Sequence, residues 1–141
     1  MGLETKPAFQ AALIARLRAG VALGAAADGG DIPVRDRPME NAPLLYIRVD
    51  GFNYVDAQVK NAKEGLLFFN VHVFAQPGND AGAASVGAEV SRIQVSVLAA
   101  LEDWRALESS GLVIHKNSKD GAGDDPAHHH AISRFSIYLG E

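Results

Sequence analysis

The chain has 141 residues, 48% apolar and 21% charged, a balance that excludes overall disorder and suffices for one core without staples. It contains no cysteine, which excludes disulfides, thiolate nucleophiles, iron–sulfur clusters and cysteine zinc sites. The formal net charge is −4 and the thirteen Lys and Arg are scattered, which argues against a broad nucleic-acid-binding face. The start shows no basic segment leading into an apolar one, and no apolar run approaches the ~20 residues a membrane helix needs. A single soluble domain over residues 1–141 is expected.

The first periodic segment runs from Pro7 to Ala19, where Phe9, Leu13 and Leu17 recur every four residues with Ala12 and Ile14 beside them. That spacing predicts a helix with one apolar stripe; Pro7 suits its first turn and Gly20 its end. Residues 31–43 hold three prolines and read as a connection with one short extended piece at Ile32 to Val34. From Leu44 to Asp50, Leu45, Ile47 and Val49 alternate with Tyr46, Arg48 and Asp50, the period of a half-buried strand. The stretch from Gly51 to Gly65 reads as a polar arm projecting beyond the core. A second strand follows from Leu66 to Ala75, with Leu67, Phe69, Val71 and Val73 on one side and Phe68, Asn70, His72 and Phe74 on the other.

After a turn at residues 76–80, Val86, Val90, Ile93, Val97, Leu101 and Trp104 step by three or four, predicting a long helix from Ala81 to Ala106. Ser109-Ser110-Gly111 ends it. Leu112 to His115 is expected as a short strand and Lys116 to Pro126 as a polar loop. In the last strand, His130 to Leu139, Ala131, Phe135, Ile137 and Leu139 face one way, and Ile132, Arg134, Ser136 and Tyr138 the other.

These elements predict an α+β domain: an antiparallel sheet of about four strands with two helices packed on one face, in the order α-β-β-α-β-β. The uncovered face then carries Tyr46, Arg48, Phe68, Asn70, His72, Phe74, Arg134 and Tyr138. That mixture of aromatic and charged groups exceeds what a solvated surface requires, and it marks the face for a partner.

Catalytic and metal chemistry finds little support in the sequence. His128-His129-His130 cannot aim three side chains at one metal from a strand, where neighbours point to opposite faces. Asp120, Asp124 and Asp125 lack the spacing and the closing Glu of a twelve-residue calcium loop. His72 and His115 have no G-x-S-x-G serine to serve, and Gly121-Ala122-Gly123 is followed by carboxylates that would repel a phosphate. No catalytic, cofactor or metal site is expected, and no enzyme.

The succession of elements resembles the phage tail completion or tail terminator family, the tail-to-head joining proteins of long-tailed phages and gene transfer agents. The resemblance is carried by the helix Phe9-Gln10-Ala11-Ala12-Leu13-Ile14-Ala15-Arg16-Leu17, the strand Ala42-Pro43-Leu44-Leu45-Tyr46-Ile47-Arg48-Val49, and the polar arm. It continues through the strand Leu67-Phe68-Phe69-Asn70-Val71-His72-Val73-Phe74, the helix ending Val97-Leu98-Ala99-Ala100-Leu101, and the strand Ser133-Arg134-Phe135-Ser136-Ile137-Tyr138. It covers nearly the whole chain through order and spacing, and departs from the family at Phe74-Ala75, where many relatives carry Trp. The resemblance implies a homo-oligomeric ring, usually six-fold, at the tail–neck junction of a virion. Such a ring caps the tail tube, stops its polymerisation and meets the head-side connector. DNA passes through its pore without sequence-specific binding, and the protein is made in the bacterial cytoplasm with no membrane partner.

Reach and exposure nominate Tyr46, Arg48, Phe52, Tyr54, Lys60, Lys63, Phe68, His72, Phe74, Lys116, Arg134 and Tyr138 as interface residues. A competing reading is a small ligand-binding or regulatory domain that holds its ligand between Arg48, His72, Arg134 and Tyr138. A metal protein or enzyme built on His128 to His130 is the weakest reading.

Overall fold

A computed structural model describes residues 5–20, 33–36, 45–56, 65–75, 83–108, 110–122 and 129–139. The elements run α1 (Lys6–Gly20), β1 (Val34–Arg35), β2 (Leu45–Asp56), β3 (Gly65–Ala75), α2 (Ala83–Leu101), β4 (Ile114–Ala122) and β5 (His129–Leu139). The class is α+β, as the periodicities predict. The sheet, however, has five strands rather than about four, in the order β1-β2-β3-β5-β4. The additional strand is the short piece expected near Ile32 to Val34. It lies at Val34–Arg35, and it pairs parallel to β2, so the sheet is mixed. The remaining pairs are antiparallel.

Alternation places Ile47 and Val49 of β2, Leu67, Phe69, Val71 and Val73 of β3, and Ala131, Phe135, Ile137 and Leu139 of β5 in one buried layer. The helices complete it. Phe9, Leu13 and Leu17 of α1 and Val90, Ile93, Val97, Ala100 and Leu101 of α2 are all buried in the same cluster, as one stripe per helix requires. Helix α2 lies across β3, β5 and β4, and α1 packs on α2 and β1. Arg16 of α1 donates to the Ala100 carbonyl at 2.9 Å and its guanidinium sits over the Trp104 ring. A C-terminal carbonyl of α2, left without a helical partner, is thereby satisfied by the other helix. Buried Ser133 is likewise paired, to Gln94 of α2 at 3.2 Å and Ser118 of β4 at 2.9 Å.

Three expected boundaries shift, each for a local reason. Helix α2 stops at Leu101 rather than Ala106, because Asp103 takes the left-handed region (φ 62°) and its N–H turns to Val113 O. Strand β4 extends to Ala122, so most of the expected loop at Lys116 to Pro126 is paired with β5; residues 123–126 lie outside the described part. The expected arm is shorter too, since β2 continues through Asp56 and β3 begins at Gly65. Its remainder, with Lys60 and Lys63, lies outside the described residues.

The continuation of β2 contains a bulge. Asp50 is opposite Asn70 but Asn53 is opposite Phe68, so Gly51 and Phe52 together face Phe69. Gly51 has φ 67°, the left-handed glycine that such a bulge uses. One extra residue reverses the alternation beyond it. Phe52 and Tyr54 therefore turn toward the helices and pack on the core, and Asn53 and Val55 take the other side.

Candidate functional site

The face of the sheet opposite the helices is built in cross-strand rows. Tyr46, Phe74 and His130 form one row, Arg48, His72 and Ile132 the next, and Asp50, Asn70 and Arg134 the third. Beyond the bulge come Asn53, Phe68, Ser136 and Ile114, then Val55, Leu66 and Tyr138. Seven of the twelve candidate residues lie here: Tyr46, Arg48, Phe68, His72, Phe74, Arg134 and Tyr138. Phe52 and Tyr54 are brought to the opposite side, where Phe52 stacks on Phe69 at 6.0 Å under the Lys6 ammonium. They are core-supporting residues in this chain rather than parts of the open face. Lys116 lies at a second bulge, between the pairs His115–Phe135 and Asn117–Arg134, and is exposed on edge strand β4.

The upper rows hold an ordered cluster. The Phe74 ring stacks on Tyr46 at 4.9 Å and on His130 at 4.2 Å, and Arg48 lies over it at 4.9 Å. His72 Nε2 is 2.6 Å from Asp50 Oδ1, and His72 Nδ1 is 2.7 Å from His130 Nε2. Arg48 donates Nε–H to the second Asp50 oxygen at 3.0 Å. One protonation pattern satisfies every contact with both imidazoles neutral. His72 donates Nε2–H to Asp50, its bare Nδ1 accepts from His130 Nε2–H, and His130 keeps Nδ1 as its acceptor.

Carboxylate, imidazole and imidazole stand in line: both ring nitrogens of His72 are engaged, and the unprotonated Nδ1 of His130 ends the line. Among the described residues no group of three His, Asp or Glu is arranged to hold a metal. Of the histidine run, His128 lies outside those residues, and His130 is part of this stack. Arg134 and Tyr138 stand four residues apart on β5, roughly 13 Å, so they do not converge with Arg48 and His72 on one ligand.

Burial holds His72 below its ordinary value of 6.5, outweighing the hydrogen bond and charge of Asp50; Arg48 and Arg134 push the same way. His130 is also held down, first by burial and then by His72 and Arg48. An unfolded chain protonates these rings near 6.5 while the native chain resists, so below that pH the unfolded state binds more protons and stability falls. The contribution is intact above about pH 6.5 and lost as pH drops toward the depressed native values. A second proton on the pair also removes the imidazole–imidazole bond. The expected result is a melting temperature level from about pH 8 to 7 and falling toward pH 5, with a shallower fall in His72→Gln. Identical slopes in the two proteins would contradict this account.

Asp50, His130, Leu66, Val55 and Ile114 are among the members of this face that sequence reasoning did not nominate. Alternation put Asp50 and Leu66 within reach of notice, but the Asp50–His72–His130 alignment needs the strand register. Val55 and Ile114 face this side only because of the two bulges.

No protein-family model matches the chain, and no curated protein sequence does. In three dimensions it is similar to a chain of the virion of a native gene transfer agent particle, with a TM-score of 0.73 and 19% sequence identity. The likeness covers 94% of this chain and 94% of that one. At that identity the likeness establishes a shared fold.

Proposed function

We propose that this chain is a virion structural protein of a phage-type particle: a tail terminator that caps the tail tube as an oligomeric ring, six-fold in its family pattern. In this role it stops tube polymerisation and joins the tail to the head-side connector at the tail–neck junction. DNA traverses its pore without sequence-specific contacts, and its role is assembly rather than catalysis. The observation that carries the reading is the fold likeness to a gene transfer agent virion chain across 94% of both chains. The order of elements, which resembles the tail terminator family, supports the finer assignment. The open sheet face adds physical support, since Arg48, Asp50, His72 and His130 are paired with one another and its apolar side chains are not covered by either helix. The small-ligand reading loses ground because Arg48 and His72 are already engaged with Asp50 and His130.

Mass photometry of the purified chain over a concentration series, alone and with the tail-tube protein encoded in the same genome, tests the proposal. Ring-sized assemblies, alone or on tubes, are expected. A monomer with no affinity for tubes would defeat it.

A further inference from the structure

We infer that Asp50, His72 and His130 form an acid-operated latch, which pins the start of β5 to β3 and, on taking its second proton, releases His130 and uncovers the Phe74 ring. The device stands on the geometry of this line and is independent of the ring reading above. Two observations carry it, a count of hydrogens and the placement of the two rings.

The His72 and His130 rings are within 18° of parallel, and Nδ1 of the first lies 2.7 Å from Nε2 of the second. That separation admits one hydrogen between the two nitrogens and no more. Asp50 holds the far nitrogen of His72, Nε2, at 2.6 Å. Two neutral imidazoles bring two ring hydrogens, one for Asp50 and one for the shared contact. A third hydrogen has its place at Nδ1 of His130, so a single positive charge on the pair breaks nothing. A fourth sets two N–H groups against each other, and the rings must part. The pair therefore titrates as one unit in two steps.

Placement decides which ring leaves. His72 is 7% exposed in the interior of β3 and is tied to Asp50, whereas His130 is the second residue of β5 and half-buried. Its remaining described hold is the stack on Phe74 at 4.2 Å. The titratable and charged groups around the pair are Tyr46, Arg48 and Asp50 of β2, Arg35 of β1, Lys119 of β4 and Arg134 of β5. Both helices lie on the other face. Burial opposes charge on both rings; Arg48 adds to it at both and Arg134 at His72, and among the described groups Asp50 alone offsets them. The second proton is therefore an acid event. Its release of His130 strips one side of the Phe74 ring, which keeps Tyr46 on the other. The stack of Phe69 on Phe135 belongs to the buried layer on the helix side, so the latch opens without it.

Nuclear magnetic resonance of the full, isotopically labelled chain, titrated from about pH 8 to about pH 4.5 across the histidine range, tests the latch. Ring-nitrogen signals count the hydrogens, and nuclear Overhauser contacts report the stacks. At the alkaline end both rings are expected neutral and protonated at Nε2. On acidification the pair is expected to charge in two steps at least about one pH unit apart. The Phe74–His130 contact is expected to survive the first step and vanish in the second, while Phe69–Phe135 persists. His130→Gln is the companion variant, because its amide donates to a neutral His72 and accepts from a charged one. Its latch is expected to stay shut, with the Phe74 ring signals holding their positions throughout. A Phe74–His130 contact that outlasts the second proton would overturn the inference. So would loss of Phe69–Phe135 in the same step, which marks global unfolding, or Phe74 signals in His130→Gln that move as they do in the wild type.

Discussion

Phe69→Ala is expected to destabilise the chain by about 3–5 kcal/mol, the largest effect of any single substitution considered. Phe69 is fully buried on the central strand β3. Its ring meets Phe9 of α1 edge-on at 5.2 Å, stacks on Phe135 of β5 at 5.5 Å, and carries Phe52 of the β2 bulge at 6.0 Å. Truncation therefore loses the transfer energy of one large side chain and leaves a cavity that three other rings line but cannot collapse into without losing their own contacts. Domains of this size are stable by only about 5–15 kcal/mol in all, so the variant approaches unfolding at physiological temperature. Urea titration reads the effect as a lowered midpoint with little change in slope. A loss below about 1 kcal/mol would mean that Phe69 is not the junction of the core.

The second large effect is expected at Gly51. Its φ of 67° places it where a side chain is strained, and a Cβ there would stand 2.3 Å from Asn70 Nδ2. The amide is the end of a movable side chain and can yield, so the backbone strain is the larger cost. Gly51→Val is expected to lose about 1–3 kcal/mol, with Gly51→Asn the milder change because asparagine tolerates this region better. Beyond stability, the bulge decides which residues reach which face. A strand that relieved its strain by straightening would return Phe52 and Tyr54 to the open side and carry Val55 into the core. Thermal melting reads the first consequence; loss of the nuclear Overhauser contact between Phe52 and Phe69 reads the second. A fully stable Gly51→Val with that contact intact would show the left-handed glycine to be dispensable.

The same bulge explains where the sequence was legible and where it was not. Alternation in β3 and β5 and the four-residue stride of Phe9, Leu13 and Leu17 are local signals, and the core they predict is the core observed. The open face followed from them, so Tyr46, Arg48, His72, Phe74 and Arg134 were placed correctly. Phe52 and Tyr54 were expected in a projecting arm; β2 instead continues through them, and one inserted residue, which glycine alone does not announce, turns them toward the helices. The polar run from Lys116 onward resembled a loop, yet an edge strand needs charged side chains to discourage chance pairing, and that composition hid β4. The two-residue β1 was visible only as a short extended piece among prolines. Its parallel pairing is a long-range fact that no local pattern encodes. The Asp50–His72–His130 alignment belongs to the same class, since its members come from three strands.

The histidine cluster bears first on the rigidity of the open face. Here each polar atom of His72 is engaged and the aromatic rings stack against one another, which stiffens the upper part of the sheet. The lower rows, with Val55, Leu66, Ile114 and Tyr138, are where apolar surface remains to be buried.

The most direct test of the proposed role is the length of tail tubes. Polymerising tube protein from the same genome is to be mixed with increasing amounts of this chain and examined by negative-stain electron microscopy. The account predicts ring-shaped caps at one tube end and a length distribution that shortens as the chain is added in excess. Tubes that keep their uncapped ends and grow to the same lengths at every ratio would contradict it.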